Sequence, residues 1–140
     1  MNNQLFTGIF IVKNGEKKLS KLKLLYVDDE KVNLTNFAIA FKRKYHVLTA
    51  VSGQDALQIF QDNNDIAIVV ADQRMPGMTG VDLLYEIKQR NEDVVRIILT
   101  AYTEVSEIID SINKGNIYQY IVKPWVEKDL SQLLDQASEK

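Results

Sequence analysis

Six consecutive apolar residues, Ile66-Ala67-Ile68-Val69-Val70-Ala71, end at a carboxylate, Asp72, and then at a turn-forming stretch, Gln73-Arg74-Met75-Pro76-Gly77-Met78-Thr79-Gly80. An uninterrupted apolar run of this length, closed by a turn, reads as a strand buried on both faces, which is the signature of a parallel sheet. Four other runs repeat the pattern: Leu22–Val27, His46–Ala50, Val94–Leu99 and Ile117–Val122. Three of them also run into polar residues at their ends: Asp28-Asp29, Thr100 and Lys123.

Helical spacing fills the intervals. Leu34, Phe37, Ala38, Phe41 and Tyr45 recur at steps of three and four. Ser52 is placed to cap a helix bearing Ala56, Leu57, Ile59 and Phe60, and Thr79 or Gly80 opens one with Leu83, Leu84 and Ile87 inward. A fourth helix carries Val105, Ile108, Ile109 and Ile112 and stops at Lys114-Gly115. A fifth follows Pro124 to about Ala137, burying Leu130, Leu133 and Leu134. Five β-α units predict an α/β fold with helices on both faces of a five-stranded parallel sheet. Right-handed crossovers leave few strand orders, and the doubly wound, flavodoxin-like order 2-1-3-4-5 leads. In that order the first and third strands are neighbours at the switch point.

Residues 1–20 stand outside the repeat as an N-terminal extension, with residues 21–140 as the main domain. Asn14-Gly15 is a hairpin signal. The first strand of the sheet already has a neighbour on each side, so the extension forms its own hairpin, reaches an edge, or is disordered.

Composition removes several classes of function. The chain of 140 residues has no cysteine, which excludes disulfides, thiolate metal sites and a cysteine nucleophile. His46 is the single histidine, which excludes multi-histidine metal sites and leaves little room for a Ser-His-Asp hydrolase. A net charge of −2 offers no global field for nucleic acid or an anionic membrane. No stretch is long enough to span a bilayer, and a cytoplasmic protein is expected.

The predicted strand order brings Asp28 and Asp29 against Asp72, with Thr100 and Lys123 closing the pocket. Crowded carboxylates repel one another unless a cation sits among them, and an oxygen-only set suits Mg²⁺. Lys123 offers a point charge and Thr100 a hydroxyl donor to a phosphoryl group. The chemistry that fits is phosphoryl transfer onto a carboxylate. Taken singly, each residue has a plainer explanation, such as a helix-start acid, a turn residue or a solvent-facing lysine. Their joint placement at strand ends is what favours a site.

Four stretches together resemble the receiver domains of two-component response regulators, a similarity that spans about residues 22–138. They are Leu24-Leu25-Tyr26-Val27-Asp28-Asp29-Glu30, Ala71 to Gly80, Ile97-Ile98-Leu99-Thr100-Ala101, and Tyr118-Gln119-Tyr120-Ile121-Val122-Lys123-Pro124. The resemblance implies that Asp72 accepts a phosphoryl group from the phosphohistidine of a sensor histidine kinase or phosphotransfer protein. It implies Mg²⁺ ligation by Asp29, Asp72 and the backbone carbonyl of Arg74, with Asp28 acting through a metal-bound water. Lys123 pairs with the phosphoryl group, Thr100 and Tyr120 are switch residues, Ala101 leaves room for phosphoryl oxygens, and Lys123-Pro124 is cis. The resemblance makes the chain a signalling domain rather than an enzyme, catalysing only its own phosphorylation and dephosphorylation. The face of the fourth helix, fifth strand and fifth helix is then the switching surface, through which homodimerisation stays open. An output domain or other partner is implied without being named, and neither direct nucleic-acid binding nor membrane attachment is expected. Gln73 and Arg74 depart from many receivers, and Arg74 and Tyr102, flanking the pocket, are expected to tune the lifetime of the acyl phosphate.

Three competing functions are weaker. A flavin or nucleotide site needs a Gly- or Ser/Thr-rich phosphate loop after the first strand, where this chain has Asp28-Asp29-Glu30. An aspartate-nucleophile phosphatase usually carries Asp-x-Asp there, whereas this pair is adjacent. A degenerate receiver that only binds partners is disfavoured by the intact Asp/Asp/Thr/Lys set.

Overall fold

The computed structural model describes residues 8–13 and 16–139, with side chains from residue 21 onward. Strands β1 (Gly8–Lys13) and β2 (Glu16–Lys21) form a two-stranded antiparallel sheet with Lys13 opposite Glu16. Of the three alternatives open for the extension, its described residues pair with one another; the residues of the turn signal, Asn14 and Gly15, lie outside the described ones.

The main body runs β3 (Lys23–Val27), α1 (Lys31–Phe41), β4 (His46–Ala50), α2 (Gly53–Asp62), β5 (Ile66–Asp72), α3 (Gly80–Arg90) and β6 (Val95–Thr100). A short 3₁₀ turn, Tyr102–Glu104, leads into α4 (Val105–Asn113), β7 (Gln119–Val122) and α5 (Glu127–Ala137). The five strands β3–β7 are all parallel and lie in the order β4-β3-β5-β6-β7. Counted within the repeat this is 2-1-3-4-5, the order expected from the sequence. The strands begin or end within a residue or two of the expected limits, and the last is shorter, beginning at Gln119.

Side chains alternate across a strand, so each central strand feeds two cores. Leu25, Val27, Val69, Ala71 and Ile98 pack under α2, α3 and α4 with Ala56, Leu83, Leu84, Ile87 and Ile108. Leu24, Tyr26, Ile68, Val70, Ile97 and Leu99 pack under α1 and α5 with Phe37, Phe41, Leu130 and Leu134. In the second core Tyr26 stacks on Phe37, with ring centroids 4.0 Å apart, and Trp125 meets Phe37 and Phe41. Trp125 thus acts as a packing anchor between the end of β7 and α1. His46 is exposed on the edge strand β4.

Local chemistry sets the helix starts that matter for the site. Ser52 caps α2 by accepting from the Asp55 amide at 3.0 Å. Thr79 caps α3 in a reciprocal pair with Asp82: the Asp82 amide donates to Thr79 Oγ1 and the Thr79 amide donates to Asp82 Oδ2. A cap of this kind stabilises by about 1 kcal/mol. It fixes where the turn after β5 ends, and so where the backbone next to Asp72 lies. Gly115, at φ +78°, ends α4 in the left-handed conformation that glycine tolerates.

Candidate functional site

The backbone ladder continues one residue beyond three strands and pins the polar residues that follow. The Asp28 amide donates to the Ala50 carbonyl at 3.1 Å, Gln73 to Leu99 at 2.8 Å, and Lys123 to Thr100 at 2.8 Å. Asp28, Asp72 and Thr100 are buried side by side at this end of the sheet, and Asp29 is exposed at its mouth. Carboxylate oxygens of Asp28, Asp29 and Asp72 all lie within 4.8 Å of one another.

Asp28 is held by three donors. The Tyr26 hydroxyl donates to Oδ2 at 2.8 Å, the Asn33 amide to the same oxygen at 3.1 Å, and the Glu30 backbone N–H to Oδ1 at 3.0 Å. The last bond also helps to start α1, whose first residue follows Glu30. Asp72 has one partner of opposite sign: Lys123 Nζ donates to Oδ1 at 2.5 Å.

Burial pushes the Asp72 carboxyl above the usual aspartate range, and the charges of Asp28 and Asp29 add to the rise, against the pull of Lys123. Burial disfavours the Lys123 ammonium, yet its bond and attraction to Asp72, with help from Asp28 and Glu104, raise its pKa above the ordinary lysine value. Lys123 thus holds its proton more firmly than a free lysine, and Asp72 takes up a proton more readily than a free aspartate. Burial similarly pushes the Tyr26 hydroxyl far up, reinforced by Asp28, so it stays a donor.

The donor set, three carboxylates without histidine or cysteine, matches a hard oxygen-seeking cation. Beside it, a cavity of about 400 Å³ is lined by Tyr26, Asp28, Asn33, Asn36, Lys123, Pro124 and Trp125. Lys123-Pro124 is cis, as the resemblance implied.

The structure thus brings Asp28, Asp29, Asp72, Thr100 and Lys123 together. Ala101 follows Thr100 and is half-buried, and Tyr120 is half-buried on β7 opposite Ile98, against the core beneath α2–α4. The Arg74 side chain turns toward a residue not foreseen, Glu104, which accepts from its Nε and forms an ion pair with its second guanidinium nitrogen. Glu104 is buried at the end of the 3₁₀ turn, and its other oxygen accepts from Thr100 Oγ1 at 3.4 Å and from the Ala101 amide at 3.5 Å. Tyr102 is 81% exposed. Gln73 is buried, and its Oε1 accepts from the Val81 amide at 2.9 Å, tying α3 to the end of β5.

The profile of the response regulator receiver domain matches residues 24–135, most of the chain. This chain belongs to that family. A receiver domain from Clostridium thermocellum superposes with a TM-score of 0.79 at 34% identity, covering 84% of this chain and 94% of that one. The hydrogenase transcriptional regulatory protein HoxA of Cupriavidus necator is 37% identical over 116 residues, covering 83% of this chain and 24% of HoxA. The response regulator TrrA of Thermotoga maritima, solved in complex with Mg²⁺ and BeF, has a TM-score of 0.73 at 27% identity, covering 83% of this chain and 98% of that one. The chain spans about a quarter of the length of the HoxA proteins it matches. It is a receiver domain of the two-component type, a signalling domain of a family whose function is to accept a phosphoryl group. Phosphorylation and Mg²⁺ binding are typical of that family, and its members meet histidine kinases or phosphotransfer partners. No helix among the described residues is long and apolar enough to cross a membrane.

Proposed function

We propose that Asp72 is the phosphoacceptor of this receiver domain and that a phosphohistidine of a sensor kinase or phosphotransfer protein is its donor. The observation that carries the assignment is the Asp72 carboxylate, buried at a strand end, 2.5 Å from Lys123 and crowded by Asp28 and Asp29. In the transfer an Asp72 oxygen forms the new P–O bond as the P–N bond to the donor imidazole breaks, and the imidazole leaves. Lys123 then turns its charge from the carboxylate to the phosphoryl oxygens, and Thr100 donates its hydroxyl to one of them. Asp29, Asp72 and the Arg74 carbonyl would hold Mg²⁺, with Asp28 reaching it through water; bound there it neutralises charge on the transferring group. Water attacking phosphorus reverses the modification, so the domain catalyses only its own phosphorylation and dephosphorylation.

The movement of Thr100 draws Tyr120 inward and changes the face of α4, β7 and α5. Exposed apolar groups on or beside that face, Ile109, Tyr118, Val122 and Val126, suit it to a partner, whether an output domain or a second copy. A near-complete switch needs about 5 kcal/mol of differential stabilisation. We assign residues 21–140 to the receiver, residues 1–20 to an extension, and the location to the cytoplasm, where the kinase domains of such systems act.

Intact-mass analysis after incubation with Mg²⁺ and phosphoramidate, a small P–N donor, tests the assignment. Wild type should gain one phosphoryl group that hydroxylamine removes, and Asp72→Asn should gain none. No uptake by wild type, or equal uptake by the variant, refutes it.

A further inference from the structure

Glu104 is buried within a loop that is otherwise exposed at Tyr102 and Thr103. A buried carboxylate is retained only with partners. Arg74 supplies the charge, from a loop thirty residues away in sequence, while its own side chain is 70% exposed. The oxygen not engaged by Arg74 faces Thr100 Oγ1 and the Ala101 amide. Thr100 itself has no exposed surface, and its single hydroxyl proton is shared between two acceptors, the Ala101 carbonyl at 3.3 Å and Glu104 Oε1 at 3.4 Å. Both acceptors follow Thr100 in the turn that leads to α4.

We propose that Glu104 is a positioning residue that holds the Thr100 hydroxyl in its resting place, with Arg74 fixing Glu104 in turn. A phosphoryl group on Asp72 must take the Thr100 hydroxyl from this carboxylate. The Thr100–Glu104 bond is long, so what it opposes is modest, on the scale of one weak charge-assisted bond. Its place in the fold matters: Glu104 stands in the short turn between Thr100 and α4, immediately before that helix. The side chain touches none of the reacting atoms and acts through Thr100. This inference rests on Asp72 being the acceptor.

The test is the apparent Kd of beryllofluoride at saturating Mg²⁺, followed by Trp125 fluorescence in the full chain. Wild type binding that Asp72→Ala abolishes establishes the acceptor assignment independently of Glu104. Glu104→Gln, which keeps the shape and weakens the acceptor, should tighten Kd by about threefold, the equivalent of one weak hydrogen bond. In a Thr100→Ala background the same substitution should change Kd by less than half as much on a logarithmic scale, because the group it acts through is gone. An unchanged or weaker Kd for Glu104→Gln overturns the inference. So does an equal gain in the Thr100→Ala background, which shows a through-space charge effect without positioning. If Glu104→Gln does not fold, Arg74→Gln decides. Losing its anchor, Glu104 should hold Thr100 less firmly, so Arg74→Gln should favour beryllofluoride binding more in the chain that keeps Thr100 than in the Thr100→Ala background. An equal effect in both backgrounds overturns the inference.

Discussion

Gly80 lies where α3 begins, against the end of the strand that carries Asp72. A Cβ at this position would lie 2.5 Å from the Asp72 carbonyl oxygen, 2.5 Å from Ile98 Cδ1 and 3.0 Å from Gln73 Cα. Ile98 can rotate its terminal methyl away. The Asp72 carbonyl and Gln73 Cα cannot: Gln73 N–H bonds to the Leu99 carbonyl, and the Gln73 carbonyl accepts from Gly80 N–H at 3.0 Å. Comfortable C···O approaches begin near 3.3 Å, so Gly80→Ala forces a separation of roughly 0.8 Å between the α3 start and the β5 end. Overpacking of this size costs about 1–3 kcal/mol, and the gain from replacing a helical glycine is at most about 1 kcal/mol, less in a first turn. The net expectation is a loss of about 1–2 kcal/mol in urea unfolding. Function should suffer more, because a displacement near 1 Å at a reacting group can cost about a hundredfold in rate. Phosphorylation by phosphoramidate, measured where the variant is fully folded, should therefore slow by at least about tenfold. Gly53→Ala is the comparison: the atoms nearest its Cβ would be Met78 Sδ, Cβ and Cγ, at 2.6–3.0 Å, of which Sδ can swing aside while Cβ moves only with its backbone. It should slow phosphorylation less than Gly80→Ala, whose clash is with the Asp72 carbonyl itself. A Gly80→Ala domain as stable as wild type and phosphorylated at the wild-type rate would refute the reasoning.

Lys123→Ala should keep Mg²⁺ binding, since an ammonium contributes no ligand, and should lose most of the response to beryllofluoride; a Mg²⁺ titration followed by a beryllofluoride titration on Trp125 fluorescence separates the two. Arg96 is buried and donates to the backbone carbonyls of Glu92, Val94, Gly115 and Asn116, so Arg96→Met should cost about 2–3 kcal/mol in urea unfolding by orphaning acceptors that join the loops before β6 and β7. Burial, then Asp28 for Tyr26 and Asp135 for Tyr45, push both phenols above their ordinary value of 10.0. Their contribution to stability is full below that value and declines as pH rises beyond it, because the unfolded chain releases protons that the folded one holds. Urea midpoints between about pH 9 and 11 should fall, and Tyr26→Phe or Tyr45→Phe should flatten the decline.

The sheet order and the meeting of five site residues were legible because both follow from strong local signals. Apolar runs name the strands, crossover handedness orders them, and a polar residue closing each run marks the same edge. Leu34, Phe37 and Phe41 are buried as their spacing predicts. Helical periodicity served less well in α4, where Ile108 is buried but Ile109 is 42% exposed. Adjacent isoleucines at this point offered no means of choosing between them. Glu104 was not legible at all. Tyr102-Thr103-Glu104 reads as an exposed polar turn, and the residue that changes its meaning, Arg74, sits on a different loop. Arg74 was itself expected, flanking the pocket with Tyr102, to tune the lifetime of the acyl phosphate. Its guanidinium is bound to Glu104, so any such effect must include breaking or keeping that pair. Arg96 escaped notice because one charged residue in an apolar run is ordinarily placed at a solvent-facing edge. Here its acceptors are backbone carbonyls that no side-chain pattern announces.

Charge counting connects the two halves of the site. Asp28, Asp29, Asp72 and Glu104 face Lys123 and Arg74, which leaves a formal surplus of two negative charges before any phosphoryl group arrives. Converting the Asp72 monoanion to an acyl phosphate of nearly two charges deepens the surplus. Lys123 can pair with the new charge only by leaving the Asp72 oxygen it now binds, and Arg74 only by loosening from Glu104. The raised pKa of Asp72 comes first from burial, with Asp28 and Asp29 adding to it against the pull of Lys123. With Asp72 as the proposed acceptor, such a pocket would be phosphorylated more readily once a divalent cation is bound, and the two cation pairs would act as opposing terms of the proposed switch. The prediction specific to this arrangement is a matter of sign: neutralising Glu104 should favour the phosphorylated form, whereas neutralising Lys123 should disfavour it. If both substitutions moved the equilibrium the same way, the two pairs would have to be treated as scaffold rather than as competing holds on the switch.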